Sequence, residues 1–514
     1  MAKLLQQHIS RMRLAAASAA LTLVLLLVLG IATTPSVQAQ TFTMLHSFDG
    51  TDGAYPYAGL VQGTNGNFYG TTSGLNTSAN SISPGTVFKI TPSGTLTTLY
   101  SFCSQSGCPD GDHPLAGLIQ ATNGDLYGTT GYGGANDTCQ YNGNVGCRTV
   151  FKITPSGTLT TLHSFNGTDG WLPFAGLVQA TDGNFYGTTD EGGANACPPP
   201  FNGCGTVFKI TPSGTLTTLH SFNGGEGSEP LGGLVQATNG DLYGTTESGG
   251  ANGDGTVFKI ILGGTLTTLY SFCSQSGCTD GAYPCMGVLI QATDGNLYGT
   301  TLGGGANGAG TVFKITPSGT LTTLYSFCSQ SGCTDGVGPL EGLVRATDGN
   351  FYGTTGYGGA FNDNCAPSNT CGTIFKITPN ATLTTLYNFC SQSGCADGWL
   401  PFAELVQATN GKFYGTTLYG GANNYGTVFS LSVGLGPFVE TLPSYGKVGT
   451  AVKILGTNLT GATSVTFNGT GAQFTVVSKS EIKTTVPTGA TTGPVEVTTP
   501  KGTLKSNVVF RVKK

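Results

Sequence analysis

Apolar and polar positions alternate along this chain in short bursts rather than at helical spacing. Runs such as N-F-Y-G-T-T, T-V-F-K-I and L-T-T-L-Y-S-F mix β-branched and aromatic residues with polar neighbours, and N-G, D-G and P-S-G turns separate them. That is strand and hairpin chemistry; helix formers are scarce and no 3.6-residue period occurs. The chain is expected to be nearly all β.

The bursts recur as a unit. The block G-L-V-Q-A-T-(N/D)-G-(N/D)-(F/L)-Y-G-T-T occurs seven times, with its aromatic-or-Leu position at Phe68, Leu126, Phe185, Leu242, Leu297, Phe351 and Phe413. A loop follows each copy, then T-V-F-K-I or a close variant; T-P-S-G-T-L-T-T-L-(Y/H)-S-F follows the first six. Each unit therefore reads as four strands, at a period near the kelch repeat (~50 residues) and above WD40 (~40 to 45). The seventh unit ends its third strand at Thr427-Val428-Phe429-Ser430-Leu431 without a fourth, whereas Thr41-Phe42-Thr43-Met44-Leu45-His46-Ser47-Phe48 matches that fourth strand ahead of the first unit. The pattern predicts a seven-bladed β-propeller closed by the N-terminal strand, with no open edge.

Across about residues 41–433 these repeats resemble the bacterial tandem-repeat family called GloVer, whose proteins are exported. Residues 437–514 change composition and carry G-T-A-V-K-I-L-G-T-N-L, then V-T-F-N-G and V-P-T-G-A. This order is similar to the IPT/TIG immunoglobulin-like family, which implies a small β-sandwich acting as a spacer or contact surface. Residues 1–39 hold Lys3, Arg11 and Arg13, no acids, an apolar run from Leu14 to Ala32 and Val37-Gln38-Ala39, the layout of a signal peptide. An uncleaved membrane anchor is the alternative, because the run approaches the ~20 residues that span a bilayer.

Composition supports export of a folded protein. Of 514 residues 83 are Gly and only 9% are charged, but 10% are aromatic, more apolar surface than a disordered chain carries. Fourteen of the 15 cysteines form close pairs: Cys103/Cys108, Cys273/Cys278, Cys328/Cys333 and Cys390/Cys395 in the string C-S-Q-S-G-C, and Cys139/Cys147, Cys197/Cys204 and Cys365/Cys371 in variable loops; Cys285 is left over. In an oxidising compartment these read as local disulfides, whereas a metal site would need tighter Cys spacing with His nearby.

Hairpin connectivity puts the tight turns on one face of the ring, and the long, stapled loops on the other, where binding is expected. Residues 41–436 carry nine basic and 23 acidic groups, 16 of the acids in those loops, while residues 437–514 carry nine basic and three acidic. Such a face repels nucleic acid, so an extracellular protein or glycan is the expected partner. A D-G-x-x-P motif places Asp52, Asp110, Asp169, Asp280, Asp335 and Asp397 at one loop position, with Glu226 in the fourth unit. These acids read either as a ring collecting Ca²⁺ or as turn-closing side chains. Tyr55, Trp171, Tyr283 and Trp399 sit in the same loops and could stack on sugars or a protein, or cover the blade tops.

His46, His163 and His220 share their slot with Tyr100, Tyr270, Tyr325 and Tyr387, a packing position. No nucleophile elbow, phosphate loop or zinc helix stands out, and every polar residue of note recurs with the repeat, whereas catalysis needs an asymmetric constellation. The expected function is a non-catalytic secreted or cell-surface protein of binding or adhesion type, with no catalytic residue assigned. The alternatives are a carbohydrate-active enzyme with a carboxylate pair at the propeller centre and a calcium-stabilised structural module.

Overall fold

The computed structural model describes residues 40–513 except 78–80, 137–139, 142–143, 198–201, 285 and 361–370. Residues 1–39, and with them the signal-peptide assignment, lie outside the described residues, as do Cys139, Cys285 and Cys365. Among the described residues the fold is all β apart from three one-turn 3-10 segments, and none of its helices is long and apolar enough to cross a membrane.

Seven four-stranded antiparallel sheets repeat one pattern. In the first, Val61–Gln62, Phe68–Thr72, Thr86–Ile90 and Leu96–Ser101 lie side by side. The first strand is shorter than its motif, because the residues before Val61 run on as irregular backbone. The second and third strands are buried along nearly their whole length, as strands covered on both faces must be. Their fit depends on a glycine: a Cβ at Gly70 would lie 2.6 Å from the Phe88 ring. The same Gly-Phe opposition recurs in every unit, as at Gly187 and Phe208. At the strand ends paired threonines share a hydroxyl bond, Thr72 with Thr86 at 2.8 Å.

The last sheet takes its fourth strand from the other end of the chain. Thr41–Ser47 pairs antiparallel with Thr427–Ser432, placing Met44 opposite Phe429. Phe42 stacks on Tyr387 at 4.0 Å, and Phe48, fully buried, meets Phe88 of the first unit edge-on at 5.4 Å.

Neighbouring sheets are joined by repeated contacts. Tyr127 stacks on Phe185 at 4.0 Å, and Phe68 packs on Tyr414 at 4.1 Å, first unit against last. The Gln of G-L-V-Q-A accepts a backbone bond from the preceding unit: Thr64 N donates to Gln120 Oε1, and Thr409 N to Gln62 Oε1, both at 2.9 Å.

Residues after Phe438 form two four-stranded sheets around a core that includes Val439, Ile454, Val465, Phe467 and Phe510. This sandwich does not hang free as a spacer. It docks on the tight turns: Ser480 Oγ donates to Thr64 O at 3.2 Å, Tyr445 Oη to Ala180 O at 3.0 Å, Arg511 Nη1 to Ala237 O at 3.3 Å and Asn507 Nδ2 to Arg345 O at 3.0 Å. Its cationic side chains there bond backbone carbonyls, Arg511 that of Ala237 and Lys513 that of Thr181.

Truncating Phe48 to Ala is expected to cost about 3–5 kcal/mol, the range for a fully buried aromatic. Thr43→Ala on the same strand, at an exposed position, should stay within about 0.5 kcal/mol. Urea unfolding of the two variants measures the difference.

Candidate functional site

The repeated carboxylates serve their own loops, in two versions that follow the loop sequence. Where the loop is short, the fourth strand supplies a histidine: His46 Nε2 lies 2.6 Å from Asp52 Oδ2, His163 Nε2 2.8 Å from Asp169 Oδ2 and His220 Nε2 2.6 Å from Glu226 Oε1. Where the loop carries C-S-Q-S-G-C, a tyrosine takes over: Tyr100, Tyr270, Tyr325 and Tyr387 donate to Asp110, Asp280, Asp335 and Asp397 at 2.7–2.8 Å. The serine after the first cysteine adds two more donors, as Ser329 N and Oγ do to Asp335, both at 2.9 Å. Burial works to raise the Asp280 carboxyl, but the Tyr270 and Ser274 donors outweigh it and hold it below the ordinary range. The His/Tyr slot is therefore more than packing. Each ring packs edge-on against the buried Phe two residues on, as His46 does on Phe48, and aims its polar end at the acid.

Five expected disulfides are present: Cys103–Cys108, Cys197–Cys204, Cys273–Cys278, Cys328–Cys333 and Cys390–Cys395. Cys147 and Cys371 are buried; the residues expected to pair with them are not described. Among the described residues two groups have metal-site proximity, Cys103/Cys108/Asp112 and Asp254/Cys273/Cys278; their cysteines are disulfide-bonded and offer no thiolate.

The loop aromatics separate. Trp171 is buried, with the Arg148 guanidinium 5.1 Å from its ring centre. Trp399 is half-buried and stacks on Tyr419 at 4.6 Å. Tyr283 is exposed, and Tyr55 stands edge-on to Tyr419 at 5.4 Å.

Tyr55 and Tyr419 belong to a cavity of about 710 Å³ to which all seven units contribute. Its wall is the irregular stretch ahead of each first strand, including Tyr57, Leu115, Phe174, Leu231, Met286, Glu341 and Glu404; Tyr55, His113, Tyr132 and Tyr419 line it beside the loops. The first strands run from this cavity toward the turns that the C-terminal sandwich covers. Burial, with the facing hydroxyls of Tyr419, Tyr132, Tyr357 and Tyr55, pushes the Tyr57 phenol up, so these phenols converge.

Glu341 and Glu404 overturn the expectation that every polar residue of note recurs. Glu341 stands where other units have Ala58, Ala116 and Ala175, and Glu404 where they have Gly59, Gly117 and Gly176. Both line the cavity, from the two units that adjoin in sequence. Burial holds the Glu341 carboxyl well above the carboxylate range and the Glu404 charge pushes it further; burial alone brings Glu404 up to about 7. His113 is 9% exposed, and its Nε2 has no hydrogen-bond partner among the described residues. A register of departures from the repeat would have singled out all three from sequence.

Asp190, Glu229 and Glu247 also depart from it. Burial raises all three; Asp190 and Glu229 are raised further by neighbouring acids, and Glu229 reaches about 7.

These five acids give stability a pH dependence. A carboxyl raised in the folded state holds a proton there that the unfolded chain has already lost, so stability falls as pH rises from about 4.5 through 7. The urea midpoint is expected to be higher at pH 5 than at pH 8, and Glu404→Gln to shrink the difference. Separately, Tyr325→Phe should cost about 1–3 kcal/mol by removing a hydroxyl donor from the buried Asp335 carboxylate, read by the same titration at pH 7.

The Gloeobacter/Verrucomicrobia repeat matches residues 30–197, 137–289, 199–429 and 275–474, and the IPT/TIG domain matches residues 438–512. No curated protein matches the chain. Similar solved structures include a gluconolactonase of Xanthomonas campestris (13% identity, 63% of this chain and 89% of that one, TM-score 0.34). An aldose sugar dehydrogenase of Streptomyces coelicolor in its PQQ-bound form (12%, 77% and 98%, TM-score 0.39) and an auxiliary nutrient binding protein of Bacteroides thetaiotaomicron (14%, 61% and 68%, TM-score 0.36) are also similar. At these identities and TM-scores they pass no ligand and no reaction to this chain.

Proposed function

The chain belongs to the Gloeobacter/Verrucomicrobia repeat family and carries a C-terminal IPT/TIG domain, and on that basis we propose that it is an exported, non-catalytic binding protein. In this reading residues 41–433 form a closed seven-bladed propeller, residues 437–514 cover its tight-turn face, and the ligand enters the central cavity from the loop side. The pairing of Thr41–Ser47 with Thr427–Ser432 and the Thr409–Gln62 bond support closure. The disulfides support an extracellular site of action, secreted or cell-surface, because such bonds persist in oxidising compartments.

The observation that carries the binding function is the cavity itself. It has the size of a small-molecule pocket, all seven units line it, and three of its polar residues depart from the repeat. Asp52, Asp110, Asp169, Glu226, Asp280, Asp335 and Asp397, together with Trp171, support the loops around it in this reading, and Tyr55 contacts the ligand. Tyr283 and Trp399 extend the same face for larger partners. The calcium reading is weaker, because the repeated carboxylates already accept bonds from histidine, tyrosine and serine. The glycosidase reading needs one carboxyl held protonated beside one held ionised. Burial moves both Glu341 and Glu404 upward, so neither is kept as the ionised partner.

The test is a small-molecule and glycan array probed with the mature protein and with Gly117→Phe. A Cβ at Gly117 would meet no atom closer than 3.7 Å, so the ring enters the cavity without a backbone clash. Hits that Gly117→Phe abolishes are expected; hits that survive it would move binding to the outer loops and overturn the cavity reading.

A further inference from the structure

Resting on the cavity reading, we propose that the ligand is an organic cation carrying protonated amines, held between the tyrosine walls and the Glu341 and Glu404 carboxyl groups, which ionise as the cation enters. Four observations meet here. The cavity lining contains two glutamates and neither Lys nor Arg, so it holds two acids with no built-in counter-charge. Among the described residues the Glu404 carboxyl has no hydrogen bond or ion pair, and the Glu341 carboxyl is bonded only by the adjoining Gly342 backbone. Two acids lining one enclosed space repel each other when ionised, and a dication relieves both the repulsion and the lost hydration.

Tyr55, Tyr57, Tyr132 and Tyr419 supply aromatic faces, which attract ammonium groups and also lie flat on a sugar or hydrocarbon frame. His113 Nδ1 lies 2.9 Å from Asp112 Oδ2, and its buried Nε2, without a hydrogen-bond partner among the described residues, is able to bond a hydroxyl or amine of the same ligand. The fourth observation is the origin of the two acids. Five units keep Gly and one has Val288 where the seventh has Glu404, and the neighbouring unit alone trades a small residue for Glu341, so the acids enter the cavity from two adjoining units only.

A bare metal ion fits less well. The cavity holds about 710 Å³, far more than an ion occupies, and the two glutamates are not joined by a third His, Cys, Asp or Glu ligand at metal-site distance among the described residues. Calcium would want six to eight oxygens.

The experiment is isothermal titration of the full mature protein with three probes: the β-1,4-linked dimer of glucosamine, cellobiose, and galacturonate. The first two share a frame and differ in two ammonium groups; the third carries a negative charge. The glucosamine dimer is expected to bind at least about tenfold more tightly than cellobiose, and galacturonate not at all. Glu341→Gln and Glu404→Gln keep the side-chain shape, and each is expected to cost about tenfold in affinity for the glucosamine dimer while leaving the melting temperature equal or higher, because a buried acid is replaced by a neutral group. Equal binding of cellobiose, or unchanged affinity in both Gln variants, overturns the ammonium assignment and leaves the cavity reading standing. No binding of the glucosamine dimer overturns the assignment as well. Loss of all binding in Gly117→Phe, by contrast, tests the cavity reading alone.

Discussion

A four-stranded sheet with apolar residues on both faces cannot bury itself, and the rest of this structure follows from that constraint. Each sheet needs a neighbour on either side, and the contact is specific: Tyr and Phe of successive second strands stack near 4 Å, while within each sheet the third-strand Phe fills the space left by the facing second-strand Gly. Any end of the array exposes such a face. The chain meets the problem by lending Thr41–Ser47 to its last sheet and by making the same Thr-to-Gln bond between last and first units as between interior ones.

The same constraint explains where polar chemistry is allowed. Acids repeated in every unit sit at loop ends and are consumed there by a histidine or by a tyrosine and serine. The two solutions are exchanged as sets: a short loop comes with histidine, a disulfide-stapled loop with tyrosine. A carboxylate bonded to three donors is a structural part, and an aromatic such as Trp171 covered by Arg148 is one too. The cavity wall is different: at two of its recurring positions most units carry only Gly or Ala. Replacing two of them by glutamate costs hydration and puts like charges together, and a structural role offers nothing in return.

The docked sandwich changes the meaning of the C-terminal region. Bonds from Ser480, Tyr445, Arg511 and Asn507 to backbone carbonyls tie it to four different units. A module touching several units at once restrains their relative positions.

Local chemistry was legible in the sequence wherever it repeated: strands, turns, disulfide staples and the matching of Thr41 to Phe48 with the missing fourth strand all follow from residue type and spacing, because each depends on neighbours within a few positions or on a copied pattern. The pairing of His46 with Asp52 or Tyr325 with Asp335 was hidden, although both partners were visible, because a bond between a strand and the following loop depends on the path of the chain. Glu341 and Glu404 were overlooked for a different reason. They lie 63 positions apart in unremarkable stretches ahead of the first strands, and only folding turns them toward one enclosed space, where burial and mutual repulsion give two ordinary glutamates a distinct chemistry.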